Sequence, residues 1–447
     1  MNRRLRKRLK SLTDTVLNAA TMPEVLVHVH EGSSGNLRFA NNHATTSGDT
    51  ESLSIRVQVS QNGRSASASG NNPSRDGVAK LVARAEDLCR LAPVDPEHVA
   101  VLGPQTYVES PTSAHDAKTA NLDAEGRAKL ASRLIRGANL RKLVTAGLVE
   151  SHDSAEAVAS SAGLFAAHAS TRCQLTQTCR TRDGTGSGWA GAVHHAVATL
   201  DPDAVAQTAA DKAEMSSQPT ALDPGRYIVL LEAQAVADLL SFLLWSLGAR
   251  GADEGRSYFS KPGGGNLLGE TLFHPSVSLR SDPTHRLHPS RPYAGDGQPR
   301  KRVTWIDHGR LKTLSRSRYW ASKQGQGSKP VPGPDSLHMQ GTSKTLMDLM
   351  RGVESGVLVT RFWYNRMLDP RTILATGLTR DGTFEIKGGK ITRSLKNMRY
   401  NDSPATLLKN TLAVGLPQRV VTRSGSVFVV PPMVVEGFNF ASVSDAV

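Results

Sequence analysis

The sequence predicts an α+β protein, in which strand meanders and helices occupy separate stretches of the chain. Segments of alternating apolar and polar residues recur in both halves, with segments of helical periodicity between them. The chain breakers of QPTALDPG, residues 218–225, separate the two halves. We therefore expect an N-terminal α+β domain over residues 1–220, with a Pro-rich linker near 93–113. The expected C-terminal domain covers 221–447 and is largely antiparallel β with flanking helices.

The N-terminal half combines a strand meander with capped helices. EVLVHVHEG alternates as a strand, and Asn62-Gly63 is the typical sequence of a tight hairpin turn. Ser74 and Asp123 stand where the N-caps of two helices are expected. The predicted helices are 3–20, 72–91, 123–139 and 201–215, and the predicted strands are 24–32, 36–48, 51–70, 142–151, 162–171 and 172–181.

The C-terminal half opens with a strand that runs directly into a helix, over residues 226–248. Leucines repeat at helical spacing from Leu239 to Leu247 and predict a wide apolar face. The Gly- and Pro-rich stretch 255–300 is predicted to be irregular, and Asp307-His308-Gly309 is predicted to be a turn. The remaining predicted strands are 301–315, 355–364, two hairpin-like units within 376–393, and 425–437, and the remaining predicted helices are 342–352 and 404–411.

The chain is strongly basic, with 54 Lys and Arg against 40 Asp and Glu, a net charge of +14. One cluster of cations lies in residues 3–10 and a second lies in residues 300–318. No nucleic-acid-binding motif of recognisable spacing accompanies the charge, so we interpret it as a solvated basic surface. The alternative is a stand-alone binding protein whose N-terminal helix contacts an anionic polymer.

Cysteine content and apolar runs bear on localisation. Cys89, Cys173 and Cys179 are an odd and sparse set, which argues against a disulfide framework and suits a reducing compartment. We interpret Cys173 and Cys179 as small core residues. The basic N-terminal run is not followed by the apolar stretch of a secretory signal. The apolar run from Ile228 to Ala249 contains two carboxylates, so we expect no membrane span and a cytoplasmic protein.

Histidine pairs in the N-terminal half are weak candidates for metal sites. His28 and His30 share one face of a predicted strand, a spacing that can hold a metal, but no third ligand accompanies them. We interpret them as exposed strand residues. His194 and His195 are adjacent and are expected to point apart on a strand. The glycine-rich stretch 261–270 lacks the Gly-Lys-Ser ending of a P-loop and is interpreted as a flexible loop.

The densest group of ligand-type residues lies in the irregular stretch of the C-terminal half. It consists of His274, His285 and His288, with Asp282 and Asp296. A zinc site needs three or four ligands held by a defined scaffold. These residues lie on a loop, where no helical spacing would hold them in place. We interpret the group as loop residues. The alternative is a metalloenzyme that uses the three histidines.

Several segments occur in a characteristic order. RFANNHATTSG, ESLSIRVQV and NGRSASASG precede the helix at 74–91. The junction at 226–248 is followed by SRPYAGDGQPRKRVTWIDHGRLKTL, GVESGVLVTRFW, DGTFEIKGGKITRSLKNMRYNDSPATLLKNTLAVG and SGSVFVVPPMVVEG. In this order the segments resemble the TldD/PmbA (TldE) metallopeptidase family over nearly the whole chain. The resemblance implies the fold of that family.

The resemblance also identifies where a metal site is expected. TldD-type members carry a His-Glu-x-x-x-His helix at this junction and a cysteine near the C-terminus. In this chain the two histidines fall at Glu232 and Ala237, the glutamate at Ala233 and the cysteine at Ser424. A single carboxylate cannot hold Zn²⁺ or activate its water. The resemblance therefore implies a PmbA/TldE-type chain with no catalytic, cofactor-binding or metal-binding residues of its own.

For function, the resemblance implies a subunit of a metallopeptidase complex that acts on unfolded or small peptides. Zinc is expected in a TldD-like partner, with which this chain forms a heterodimer, and a homodimer is the alternative. Peptide is expected to lie extended along a sheet edge, where main-chain pairing gives weak sequence preference. Whether the chain alone is an enzyme stays open. A stand-alone, metal-independent peptide- or anion-binding protein is the other alternative, and nucleic acid and membranes are not expected partners.

Overall fold

The computed structural model describes residues 3–325, 327–422 and 425–444. It is an α+β fold built on three sheets, of six, six and seven strands. The predicted fold class is therefore confirmed. None of the helices within the described ranges is long and apolar enough to cross a membrane.

The helices are named here in chain order. They are α1 Arg3–Ala19, α2 Arg75–Leu91, α3 Ala117–Ala120, α4 Ala124–Leu140, α5 Pro202–Met215, α6 Ala233–Ser246, α7 Ala249–Asp253, α8 Arg318–Lys323, α9 Leu346–Arg351 and α10 Pro404–Lys409. Side chains cap several of them as the sequence predicts. Ser74 accepts a hydrogen bond from the backbone N–H of Gly77, and Asp123 accepts one from that of Gly126.

The strands are also named in chain order. Those of the N-terminal half are β1 Glu24–Ala40, β2 His43–Gln61, β3 Arg64–Gly70, β4 Val144–Ser160, β5 Phe165–Arg180 and β6 Ser187–His194. Those of the C-terminal half are β7 Gly225–Leu231, β8 Leu279–Ser281, β9 Val303–Asp307, β10 Arg310–Leu311, β11 His338–Met339, β12 Ser355–Asp369, β13 Leu374–Lys387, β14 Lys390–Ser394, β15 Met398–Asp402, β16 Thr411–Val414, β17 Gln418–Val421, β18 Val427–Val430 and β19 Met433–Val443.

The N-terminal sheet is antiparallel throughout, in the order β3-β2-β1-β4-β5-β6. Helices α1 and α2 pack on one part of it and helices α4 and α5 pack on another. Asn62 and Gly63 form the predicted hairpin turn, with φ of 52° and 73°. The predicted strand 36–48 is wrong, because Asn41 and Asn42 form a second hairpin turn with φ of 50° and 66°, which asparagine tolerates better than most residues.

The seven-stranded sheet of the C-terminal half closes on itself. Its order is β12-β7-β19-β15-β13-β14, with β16 as the seventh strand paired to β19, and β12 also pairs with β13, so five strands form a ring. Within the ring only β7 and β12 pair in parallel. The leucine face of α6 packs in the core that this ring shares with the third sheet, whose order is β10-β9-β8-β11-β18-β17.

The last predicted strand, 425–437, is two strands in the structure. Pro431 and Pro432 lie between β18 and β19, which belong to different sheets. Proline has no backbone N–H to donate to a sheet, so the pair ends one strand and releases the chain to the next.

We expect the buried face of α6 to be essential for folding. Replacing Leu240, which is fully buried, with alanine should lower the free energy of unfolding by about 2–5 kcal/mol, because it removes apolar contacts and leaves a cavity. Urea denaturation of the full chain measures the change. The matched control is Leu91→Ala at the exposed end of α2, which should change stability by less than about 1 kcal/mol. Equal effects of the two substitutions would contradict the assignment of the core.

Candidate functional site

A groove of about 1010 Å³ lies between the N-terminal sheet and the first turns of α6 with β12 and β13. The alternation of side chains along β5 explains why one face of the sheet lines the groove. Alternate residues from Arg172 to Arg180 line the groove, whereas the residues between them, such as Cys173 and Cys179, are buried on the face that packs against helices. The two cysteines are free and buried, as predicted for core residues. Burial raises the pKa of Cys173 to about 12 and that of Cys179 to about 11.

The walls of the groove carry more positive than negative charge. The described charged residues that line it are five arginines and three carboxylates, namely Arg38, Arg172, Arg180, Arg361, Arg380, Glu150, Asp238 and Asp381. Aromatic rings and threonine hydroxyls fill much of the remaining wall. The groove is therefore suited to an elongated ligand with hydrogen-bonding groups and some negative charge.

The first turn of α6 ties the two halves together. Strand β7 ends at Leu231, and Glu232 is the N-cap residue of α6, although its side chain makes no capping hydrogen bond. The Glu232 carboxylate instead accepts a hydrogen bond from Lys212 Nζ at 2.7 Å. Lys212 lies on α5 of the N-terminal half and its Nζ also donates to the carbonyl of Trp189. The only oxygen ligand that the resemblance offers at this turn is therefore engaged by a cation.

The other two motif positions of the helix, those expected for the glutamate and the second histidine, cannot serve a metal site. Ala233 and Ala237 are buried, at 2% and 0% exposure, and their side chains carry no donor atom. The side of α6 that lines the groove is instead formed by Gln234 and Asp238, which are separated by one helical turn. The sequence did not identify either of them as a site residue. Ser424, the expected position of the cysteine, lies outside the described residues.

Asp238 is a buried carboxylate that holds β12 against α6. Its Oδ2 accepts a hydrogen bond from the backbone N–H of Phe362 at 3.0 Å, and its Oδ1 accepts one from Gln234 Nε2 at 3.0 Å. Gln234 Nε2 also donates to the carbonyl of Val421 at 3.1 Å. Burial raises the pKa of Asp238 to about 6, and these hydrogen bonds only partly oppose that effect.

A second contact between the halves surrounds Arg361. Its guanidinium lies over the rings of Trp189 and Trp363, at 4.5 and 4.7 Å from their centroids, and 3.5 Å from the Asp381 carboxylate. Asp381 also accepts a hydrogen bond from Ser187 Oγ at 2.6 Å. Strand β6 of the N-terminal sheet is thus bonded directly to β12 and β13, and these contacts form one wall of the groove.

Strand β12 exposes an edge where it passes the groove. Its pairing with β7 covers Val357 to Val359 and ends where the chain of β7 turns into α6. Beyond that point β12 pairs with β13 alone within the described residues. Its register with β13 shifts on both sides of Phe362 and Trp363, and Tyr364, 55% exposed, has a φ of 52°. A bulged edge with a left-handed tyrosine is the kind of backbone irregularity that accompanies binding sites.

The histidines of the C-terminal loop are not brought together as a set. His274 makes a hydrogen bond with Ser276 Oγ at 2.8 Å, whereas His285 and His288 pack against His338, with ring centroids 4.0 and 6.2 Å apart. Burial lowers the pKa of His285, that of His288 further, and that of His338 to about 3, so these rings are neutral. The sequence grouped His274 with the other two and missed His338, which is distant in sequence.

The remaining ligand-type residues have local roles. Asp282 accepts hydrogen bonds from the backbone and side chain of Thr284, and Asp296 accepts them from Gln298. Over residues 3–325, 327–422 and 425–444, no three or more His, Cys, Asp or Glu side chains are arranged to hold a metal ion.

The histidine pairs of the N-terminal half also differ from expectation. The rings of His194 and His195 stack at 4.2 Å, so the prediction that they point apart is wrong. Strand β6 ends at His194, and the strict alternation of side chains ends with it. His30 is exposed and bonds Ser154, as an exposed strand histidine should, whereas His28 is half-buried and its pKa is lowered by burial.

Comparisons with known proteins agree with this architecture. Three sequence profiles match: PmbA/TldA metallopeptidase domain 1 at residues 27–89, the central domain of the same family at 117–216, and its C-terminal domain at 224–442. No curated protein matches the chain in sequence.

Solved structures with this fold include three that cover nearly the whole chain. TldE from Thermococcus kodakarensis has a TM-score of 0.84 at 15% identity, covering 98% of this chain and 99% of its own. A proposed modulator of DNA gyrase from Bacteroides thetaiotaomicron VPI-5482 has a TM-score of 0.82 at 20% identity, covering 98% of both chains. A protein described in the same way from Thermotoga maritima MSB8 has a TM-score of 0.81 at 18% identity, covering 98% and 99%. At these identities the likeness establishes the fold.

Asp238 should make stability depend on pH with a defined sign. Its pKa is raised from 3.8 to about 6, so the folded chain binds the proton more tightly than the unfolded chain. The stabilisation is complete below the unfolded pKa and is lost as pH rises through about 6. Relative to Asp238→Asn, the wild type should therefore lose about 2 kcal/mol between pH 4 and pH 8. Urea denaturation of both proteins across this range measures the difference, and a difference that does not change with pH would refute the assignment.

Proposed function

The chain belongs to the PmbA/TldD family, and we propose that it is a PmbA/TldE-type subunit of a metallopeptidase complex. In this proposal the chain is non-catalytic, pairs with a TldD-like subunit that holds zinc, and binds unfolded peptide in the groove between its two halves. It acts in the cytoplasm, which suits three free and buried cysteines.

The observation that carries the proposal is the set of donor groups at the first turn of α6. A catalytic zinc takes three protein ligands and keeps one position for water. Here Glu232 is engaged by Lys212, and Ala233 and Ala237 offer no donor. Gln234 and Asp238 face the groove, but their polar atoms bond one another and the backbone of β12. These residues do not fit zinc, and the chain supplies no step of hydrolysis in this proposal.

Binding of peptide is supported by the edge of β12. An extended peptide that adds to a sheet edge gains main-chain hydrogen bonds, which do not depend on its side chains. The groove offers such an edge, and aromatic rings line the same groove. A partner that cuts and a chain that holds the substrate then divide the two tasks between them.

The division of tasks can be tested with purified proteins. The chain alone should contain no stoichiometric zinc and should leave unfolded casein intact. Adding a relative with the His-Glu-x-x-x-His helix should give a stable heterodimer and chelator-sensitive cleavage. The matched control is that relative with both motif histidines replaced by alanine, which should still pair but not cleave. Robust, chelator-sensitive cleavage by the chain alone would refute the non-catalytic assignment, and self-association without heterodimer formation would favour the homodimer.

Main-chain recognition has its own test. Methylating the backbone nitrogens at alternate residues of an unfolded peptide should weaken binding to the purified chain about tenfold or more, because each lost hydrogen bond contributes about 1 kcal/mol. Scrambling the sequence of the same peptide should change the affinity by much less. Fluorescence anisotropy with labelled peptides measures both. If scrambling weakens binding as much as methylation does, side chains carry the recognition and the sheet-edge mode is wrong.

A further inference from the structure

A second pocket, of about 240 Å³, lies beside the groove. It is formed by β5, the loop of residues 288–291 and the chain around β17 and β18. Arg172 and Gly425 line both the pocket and the groove, so the two spaces are neighbours. A ligand that lies in the groove can therefore place one end in the pocket.

Two arginines of the pocket have no counter-ion among the residues that the structure describes. Arg419 Nη1 donates to the carbonyl of Leu287 at 2.7 Å, and Arg172 Nη1 donates to the carbonyl of Gly425 at 3.1 Å. Within the described ranges, no carboxylate lies within ion-pair distance of either guanidinium. The Nε atom of Arg419 is also buried and has no hydrogen-bond partner among the described residues.

Two neighbouring arginines, by contrast, are each paired with a carboxylate. Arg291 is 2.7 Å from the Glu156 carboxylate, and Arg300 is 2.7 Å from that of Asp335. Each of these pairs neutralises itself beside the pocket. The positive charge that remains in the pocket is therefore that of Arg172 and Arg419.

The histidines of the pocket cannot supply or neutralise that charge. Burial lowers the pKa of His168 and His195 to about 4, and that of His288 well below its ordinary value, so all three are neutral at pH 7. His195 Nδ1 lies 3.4 Å from Arg419 Nη1, and His288 Nδ1 is buried with no partner among the described residues. Neutral imidazoles can donate a hydrogen bond to an anion without adding a charge.

Burying a guanidinium away from water is costly unless an opposite charge or enough hydrogen bonds compensate for it. Arg172 and Arg419 are half-buried and line the same pocket, and together with the unbonded Nε of Arg419 and the unbonded Nδ1 of His288 they are arranged to receive an anion. We propose that this pocket binds a carboxylate of the peptide that lies in the groove. The inference rests on the proposed peptide-binding function and adds the group that the groove recognises.

The carboxylate has two sources, the C-terminus of the peptide and the side chain of Asp or Glu. The test uses one peptide without acidic residues, made as the free acid and as the C-terminal amide, and an amidated pair that differs by Glu or Gln near the end. Fluorescence anisotropy in buffer free of phosphate and carboxylate gives four affinities. We expect the carboxylate form to bind about tenfold more tightly in at least one pair, as for a charge-assisted hydrogen bond.

The outcomes separate the sources and test the idea. A preference for the free acid assigns the pocket to the C-terminus, and a preference for Glu over Gln assigns it to a side chain. Equal affinities in both pairs would overturn the proposal. In the same buffer, acetate should raise the Tm of the chain, whereas a larger shift with inorganic phosphate would replace the peptide carboxylate by a phosphate ligand.

Variants locate the effect. Arg172→Gln and Arg419→Gln should each reduce the ratio between the two affinities towards one and remove the Tm shift with acetate. The control Arg136→Gln removes the same charge from the exposed face of α4 and should leave the ratio unchanged. Because the readout is a ratio, a general loss of affinity in a variant does not imitate the predicted result. A ratio that survives in both pocket variants would place the carboxylate elsewhere.

Failure of this inference can be told apart from failure of the proposed function. If no peptide binds in any form but acetate stabilises the wild type and not the variants, the pocket is an anion site and the peptide groove is wrong. If peptides bind equally well as acids and amides, the groove stands and the carboxylate pocket is wrong. If neither peptide nor acetate binds, both are wrong.

Discussion

The groove exists because two parallel neighbours end at different places. Strands β7 and β12 pair as far as Val359, where the chain of β7 turns into α6 while β12 continues to Asp369. Every backbone group that β7 would have satisfied beyond this point needs another partner. The Asp238 carboxylate takes the N–H of Phe362, and Tyr364 and Asn365 line the groove just beyond it. A buried carboxylate with a raised pKa is the consequence of opening a sheet in this way.

Beside the groove, the two halves meet through an ion pair and a cation–π contact. Lys212 reaches from α5 to Glu232 at the N-cap of α6, and Arg361 reaches from β12 to Trp189 on β6. Partly buried charges of this kind contribute little net stability, since desolvation offsets much of their attraction. They do fix the orientation and separation of the two halves, because leaving one of these charges unpaired would cost free energy. We infer that these contacts set the geometry of the groove, while the cores on either side provide the stability.

The sequence predicted the features that depend on local periodicity. The leucine face of α6, the caps at Ser74 and Asp123 and the turn at Asn62 are all present, since each follows from a few consecutive residues. It could not place the site, because the groove is made of single residues from distant strands. The basic clusters that stand out in the sequence, at 3–10 and 300–318, supply none of the arginines that line the groove. The sequence also missed that His338 packs against the loop histidines. That contact depends on the pairing of β11 with β8 and β18, which are distant in sequence.

Taken together, the edge of β12 and the neighbouring pocket describe a consistent mode of selection. Under the proposals above, one recognises the main chain and the other recognises a carboxylate, and both groups occur in every unfolded peptide with a free C-terminus. A folded protein hides most of its backbone in its own secondary structure, so it offers no extended segment that can pair with the sheet edge. Such a chain would distinguish unfolded from folded substrates without reading their sequence. A two-point contact would also give the peptide one direction in the groove, which is what a separate cutting subunit needs if it is to meet a defined bond.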